Sequence, residues 1–364
     1  MPRVLCKGWC LVRVLSLFSG YGGLDLAVKT VFPEARTVYV SDIEEGPCRV
    51  LAHRFPDAVN LGDVTAVDWD SLDPVDAIIG GSPCQDLSVA GRRAGMKPGT
   101  RSGLWESMTQ AIKTMRPRLV VWENVRGALS APAYSLMESD PRRMGGGAGG
   151  VVLRALGRVL GDLTNLGYDC QWSTFRASTI GAPHRRERIF VIAVPSSKGW
   201  RLPWHTATRE TACRWAPALD SGCSGEPVSL LPTPTVGDKG GECARSGDTR
   251  RRTPPLRTRA TMTGFGDYAP AITRWEQVIG RPAPSPTIPS PAGKPRLSHH
   301  FTEWMMGLPE GWICDPALWV DYPPTKARNA CLRMAGNGVV PLQAAWAIHA
   351  LLDRATRSAD GIGL

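Results

Sequence analysis

The stretch that decides the fold is "VRVLSLFSGYGGLDLAV", residues Val12 to Val28. It opens on an apolar β-rich run, passes Gly20, Gly22 and Gly23, and continues in a helical pattern. A strand that enters a helix through a glycine turn lets the backbone approach a ligand closely at the carboxyl end of a parallel sheet. The spacing F-x-G-x-G-G differs from the dinucleotide spacing G-x-G-x-x-G, so the turn alone also fits a purely structural role.

Outward from that unit, short β-rich runs and helical patterns alternate as far as about Val194. Strands are predicted over Val12–Phe18, Thr37–Ser41, Ala77–Ile79, Leu119–Trp122 and Ile189–Val194. This grammar predicts an α/β fold with a doubly wound, mostly parallel sheet. "DPRRMGGGAGG", residues 140–150, reads as a flexible loop between two βα units. After Val194 the chain becomes rich in Pro, Gly, Thr and Arg with little periodicity, and residues 195–296 read as a second, irregular module. A helical pattern returns with "HHFTEWMMGLPEGW" and the amphipathic "NGVVPLQAAWAIHALLDRA".

The 364 residues suffice for one elaborated domain or two. Lys and Arg number 43 against 33 Asp and Glu, a net charge of +10, which favours a polyanionic partner. From Ser196 to His300 there are 15 Lys/Arg and 8 Asp/Glu, so most of the excess lies in the irregular module. None of the ten cysteines falls in a C-x-x-C pair, so neither a metal nor a disulfide framework is expected. With no run of about 18 apolar residues, no membrane partner is expected and a reducing cytoplasm is the default location.

The later strand tips carry further chemistry. "YVSDIEEG" places Asp42 where a ribose's hydroxyls would be held and Ile43 where an adenine ring would find an apolar face. "LGDVTAV" offers Asp63 to an adenine amino group, although a single such acid is more often a solvated loop residue. The third strand ends in "GGSPCQDLS", Gly80 to Ser88. An isolated cysteine is usually a small buried hydrophobe. Here Pro83 stiffens the approach to Cys84, and the polar, basic, Gly-rich segment after it reads as a loop able to close over a phosphate-bearing substrate. A cysteine at the base of that loop stands in positive potential, which favours the thiolate.

The fourth strand, "RPRLVVWENVRGAL", delivers Glu123 and Asn124 at its carboxyl end, where a cleft-facing carboxyl is a candidate acid with a raised pKa. In "GAPHRRERIFVIAV", period-two alternation predicts Arg186 and Arg188 on one side of an incoming strand. Two buried arginines need acceptors, and a bound base or Glu123 would supply them.

These motifs together resemble the cytosine-5 DNA methyltransferase family in family order. "FSGYGG", "SDIEE" and "GDVT" match its cofactor motifs, "SPCQ" the nucleophile motif, "RSGLW" the fifth, "ENV" the glutamate motif, and "PHRRERIFVIA" the Q-x-R-x-R motif. "EWMMGLPEGW" and "GNGVVP" resemble the ninth and tenth. The likeness spans Val12 to about Leu352, except residues 195–295. His184 stands where the family usually has Gln, and Asp42 where Glu is common.

The resemblance implies a Rossmann-like class I methyltransferase with three parts. Residues 1–194 would form the catalytic domain, 195–324 a smaller target-recognition domain, and 325–364 a segment returning to the first. It implies S-adenosylmethionine as cofactor, held by Phe18, Ser19, Gly20, Gly22, Gly23, Leu24, Asp42, Ile43, Asp63, Val64, Pro83, Leu104, Asn337 and Val339. Cys84 would add to carbon 6 of a cytosine flipped out of double-stranded DNA, with Glu123 at ring nitrogen 3. Arg186 and Arg188 would bind the base and orient the acid. DNA contacts would come from Ser88, Arg92, Arg93, Lys97 and Arg101 of the lid Asp86–Leu104, and from Arg250, Arg251 and Arg252. A solvated charge run is the competing reading of that last cluster. A monomer is expected. Methylation of tRNA cytosine by the family's RNA-directed branch is the rival activity, and a catalytically dead DNA-binding regulator the rival of another class. The target sequence and any paired endonuclease are not legible.

Overall fold

The sheet begins where the quoted stretch predicts it. In the computed structural model, which describes residues 11–82, 104–133, 153–200, 202, 229–239, 256, 265–290, 293 and 295–359, strand β1 is Val12–Leu17 and helix α1 is Gly23–Val31. β2 (Ala35–Ser41), α2 (Glu45–Arg54) and the short β3 (Val59–Asn60) follow. β4 (Ala77–Gly80), α3 (Trp105–Met115) and β5 (Leu119–Val125) come next. A two-stranded ribbon of β6 (Pro132–Ala133) and β7 (Leu153–Arg154) precedes α4 (Ala155–Asn165). β8 (Tyr168–Arg176) and β9 (Glu187–Pro195) complete a seven-stranded sheet of order β3-β2-β1-β4-β5-β9-β8. β1 through β5 pair in parallel, and β9 runs antiparallel between β5 and β8.

The strands form because their apolar runs are buried on both faces, as parallel central strands must be. Leu15, Leu17, Ile78, Ile79, Val121 and Ile192 are all inaccessible, and each contributes about 1.5–3 kcal/mol. Alternate residues feed opposite layers. Leu15, Leu17, Ile78 and Val120 pack with α3 and α4, while Val14, Ile79 and Val121 pack with α1 and the C-terminal helix. α1 is pinned by a buried acid: Asp25 accepts from Ser16 Oγ at 2.8 Å and Thr37 Oγ1 at 2.7 Å, bonding the helix to both adjoining strands.

The chain then continues through α5 (Ala269–Ile279), a ribbon of β10 (Thr287–Pro289) and β11 (Pro295–Leu297), α6 (His299–Met305), α7 (Pro324–Asn337) and α8 (Pro341–Ala359). Buried residues from this part, including Trp275, Phe301, Trp304 and Cys331, share one core with Tyr21, Val50 and Ile180. α8 lies on the sheet, packed against α1, β8 and β9.

The structure departs from the sequence reading in several places, among them the regular helix α5 and the β10–β11 ribbon inside the stretch read as irregular. β1 stops at Leu17, because Phe18 takes a left-handed backbone (φ 54°) to enter the glycine turn. β8 was not predicted, since "YDCQWSTFR" lacks an apolar run, its outer face being half-exposed at the sheet edge. β9 begins at Glu187, so the strand alternation does not extend back to Arg186, whose φ of 24° takes it out of extended geometry. The predicted loop at residues 140–150 lies outside the described residues.

Candidate active site

Four parallel strand tips meet along one edge. At the first, Gly22 has φ 79°, and a Cβ there would stand 2.5 Å from the Phe55 ring. Asp42 from the second tip accepts from Gly20 N–H at 2.9 Å and from Glu44 N–H at 2.9 Å, so it organises the glycine turn itself. Burial raises the Asp42 carboxyl above the usual carboxylate range, against the pull of those backbone donors. Next to it Ile43 is 71% exposed, an apolar side chain left in solvent at a strand tip. Asp63 is exposed and accepts from Thr65 N–H and Oγ1, which holds its carboxyl low. Val64 behind it is buried.

Residues distant in sequence close this turn. The Tyr21 hydroxyl donates to Val339 O at 2.6 Å, and Trp312 Nε1 donates to Tyr21 O at 2.8 Å. Gly338 lies so close to the Tyr21 ring that an added Cβ would be 2.0 Å away. Val339 packs on Gly23 of this turn, and the exposed Asn337 ends α7 two residues before it. Tyr21 and Trp312 were not singled out in the sequence. The position of Tyr21 inside "FSGYGG" was the available signal.

At the other end of the edge, Trp122 Nε1 donates to Ser82 Oγ at 3.1 Å and Asn124 Nδ2 to Ser82 O at 3.3 Å. β5 therefore fixes the root of the segment that carries Pro83 and Cys84, which themselves lie outside the described residues. Over the same root, Glu123 Oε2 sits 3.0 Å from where a Cβ on Gly81 would be. Glu123 is 7% exposed, and its Oε1 pairs with Arg188 Nε at 3.0 Å. Burial pushes this carboxyl up, while the positive charges of Arg188 and then Arg186 draw it back. A buried carboxyl raised in this way is a candidate to hold and hand over a proton.

Arg186 is placed differently from Arg188. Its guanidinium, 2% exposed, donates to Pro234 O at 3.3 Å, to Gly336 O at 3.1 Å and to Gly338 O. Its backbone N–H reaches Thr233 Oγ1, and Gln343 Nε2 donates to its carbonyl at 2.8 Å. Arg186 thus clasps the 233–234 stretch to the turn before α8, and the arginine that meets the acid directly is Arg188. His184, where the family has Gln, is fully buried with Nε2 at 3.0 Å from Met305 O.

The family model for C-5 cytosine-specific DNA methylase matches residues 12–214, more than half of the chain. The chain belongs to this family. As a DNA cytosine methyltransferase it is similar to Type II methyltransferase M.NgoFVII of Neisseria gonorrhoeae, at 26% identity over 303 residues, 80% of this chain and 73% of that one. It also matches Orphan methyltransferase M.Rho11sI of Bacillus phage rho11s, at 31% over 185 residues, 50% of this chain but only 33% of the relative. Among solved structures, the S. pombe Dnmt2 methyltransferase shares the fold, with a TM-score of 0.54 at 15% identity, covering 94% of this chain and 99% of that one.

In this methyltransferase Phe18, Ser19, Leu24 and Leu104 are described: Ser19 Oγ donates to Ser16 O at 2.8 Å, and Phe18 and Leu104 pack on the edge of the α3 core. Leu24 is buried beneath the turn. Ser88, Arg92, Arg93, Lys97, Arg101 and the Arg250–Arg252 cluster lie outside the described residues. No helix of the described residues is long and apolar enough to cross a membrane.

Proposed function

We propose that this methyltransferase acts on carbon 5 of cytosine in a specific double-stranded DNA sequence, with S-adenosylmethionine as cofactor and Cys84 as nucleophile. The observation that carries the reading is the Glu123–Arg188 pair over Gly81 and Ser82, which sets an acid at the root of the Cys84 segment. The first two strand tips suit the cofactor: a glycine turn open at Gly20, Asp42 beside it for the ribose, and the exposed Ile43 for the adenine face. When bound, S-adenosylmethionine supplies an electrophilic methyl group for carbon 5.

The chain's own residues act on the base. The Cys84 thiolate adds to carbon 6, and the pyrimidine's displaced electron pair is accommodated as Glu123 donates a proton at nitrogen 3, which makes carbon 5 nucleophilic. Arg188 holds Glu123 in place. After methylation, loss of the carbon-5 proton to a base, elimination of the Cys84 thiolate and return of the nitrogen-3 proton to Glu123 restore the aromatic ring and the enzyme. A paired cytosine exposes neither face, so the base is flipped out at a cost of about a few kcal/mol of unstacking, and the segment 86–104 is the natural cover. The excess charge between Ser196 and His300 serves the phosphates.

The test is methyl transfer from labelled cofactor to duplex DNA and to tRNA, for wild type and Cys84→Ala. Transfer to DNA that Cys84→Ala abolishes, together with a covalent adduct at Cys84 on 5-fluorocytosine DNA, is expected. Transfer to tRNA alone, or turnover retained by Cys84→Ala, overturns the reading. Replacing Arg250, Arg251 and Arg252 by Ala is expected to weaken DNA binding for all sequences alike and to flatten its log–log salt dependence by up to about three units.

A further inference from the structure

A group of side chains of metal-ligating type lies apart from the strand tips. His299 and His300 open α6, and Cys314 follows in the next loop; one ring nitrogen of each histidine and the Cys314 sulfur all lie within 4.8 Å of one another. The two rings are 4.2 Å apart between centroids, tilted by 40°. Among the described residues neither imidazole has a hydrogen-bond partner, and His299 Nδ1 is buried with none at all. A buried ring nitrogen without a partner costs free energy unless something absent from the protein alone meets it.

We propose that His299, His300 and Cys314 form a binding site for a borderline-soft divalent cation of the zinc type. Two imidazole nitrogens and a thiolate sulfur are the donor set that zinc and cobalt(II) prefer, with water completing four-coordination. Ordinary metal–ligand lengths place donors about 3.3–3.8 Å apart, so donors already within 4.8 Å of one another need only a small side-chain adjustment to close on an ion. His300 is exposed and gives the ion a path in, while Cys314 is buried and shields the sulfur side. Binding releases the Cys314 thiol proton to solvent, and the resulting thiolate offsets one of the two charges. That offset matters because the guanidiniums of Arg296 and Arg328 lie close to His299.

Among the described residues Glu303 bonds α6 to the 311–315 loop, and the site would add a second link between them. The bridged loop carries Trp312, which donates to Tyr21 at the glycine turn. A bound ion therefore staples the start of α6 to the loop that supports the proposed cofactor side. Cysteine and histidine spacing along the chain hides the group, because its members are brought together by the turn between α6 and the 311–315 loop.

The test uses the full chain, stripped of metal with a chelator and titrated with cobalt(II) as a spectroscopic probe. One equivalent is expected to produce thiolate-to-cobalt charge-transfer absorption and a raised Tm, and zinc is expected to displace it. Cys314→Ser is expected to abolish the charge-transfer band. His300→Ala, at an exposed position where folding is not at stake, is expected to weaken binding at least about tenfold. Absence of a one-to-one thiolate band in wild type, or a band of unchanged affinity in both variants, overturns the proposal.

Discussion

The Tyr21 hydroxyl donates to the Val339 carbonyl oxygen at 2.6 Å, joining two residues 318 positions apart. Both partners are buried, and the bond ties the glycine turn of β1 to the segment between α7 and α8. Tyr21→Phe keeps the ring but strips the carbonyl of its donor, at a cost of about 1–3 kcal/mol. A lower Tm and weaker S-adenosylmethionine binding are expected, read by scanning and titration calorimetry. A lowered Tm with unchanged affinity would make the bond purely structural.

Glu123 and Arg188 predict a pH effect with a definite sign. The Arg188 charge draws the Glu123 carboxyl down, against the larger effect of burial. Removing it by Arg188→Ala lets the carboxyl rise further, so the acid form persists to higher pH. If protonated Glu123 is the active form, the descending limb of the pH–rate profile is expected to move to higher pH in Arg188→Ala. In Glu123→Gln that limb is expected to vanish and kcat to fall by about 10²–10⁴-fold. A limb at the same pH in wild type and Arg188→Ala would remove Glu123 as the titrating acid.

His184 predicts acid sensitivity of the fold. Burial, and then the charge of Arg186, push this imidazole down to about 3 from an unfolded value near 6.5. Between those values the unfolded chain binds a proton that the native protein does not, so this contribution is complete above pH 6.5 and is lost as pH falls towards 3. His184→Gln keeps a donor for Met305 O and cannot titrate. Urea denaturation from pH 7 to 4 is expected to show a slope shallower by up to one proton in the variant; parallel curves would contradict the burial argument.

Glu303 predicts the largest loss away from the strand tips. Its Oε1 accepts from Gly311 N–H, and Oε2 from Ile313 and Cys314 N–H, at 2.8 to 3.0 Å. Glu303→Gln turns one oxygen into a donor facing a backbone donor. A loss of about 1.5–3 kcal/mol is expected in chemical denaturation, with Glu303→Asp also destabilised because the shorter stem does not reach all three N–H groups.

Local chemistry made much of this protein legible in its sequence. A short apolar, β-branched run bounded by turn residues suits the middle of a parallel sheet, so Ala77–Ile79 and Leu119–Trp122 were readable as strands. A glycine cluster at the end of such a run has a local cause, and Asp42 and Glu123 stand at strand ends by simple succession. β8 was not readable, because an edge strand half in solvent carries no apolar signature.

What the chain alone did not determine are the pairings that depend on which residue lies across a gap. Arg186 and Arg188 look equivalent as text; a single positive-φ residue sends the first to the carbonyls of Pro234, Gly336 and Gly338 and leaves the second on Glu123. Tyr21 acquires its role only because Val339 and Trp312 arrive from the far end of the chain. The sequence by itself determined the central apolar strands, the strand-tip acids and the family likeness, since these follow from neighbours along the chain. The tertiary structure decided the partners of each buried polar group, because a hydrogen bond or ion pair is satisfied by whatever stands about 3 Å away in space, and sequence separation places no limit on that.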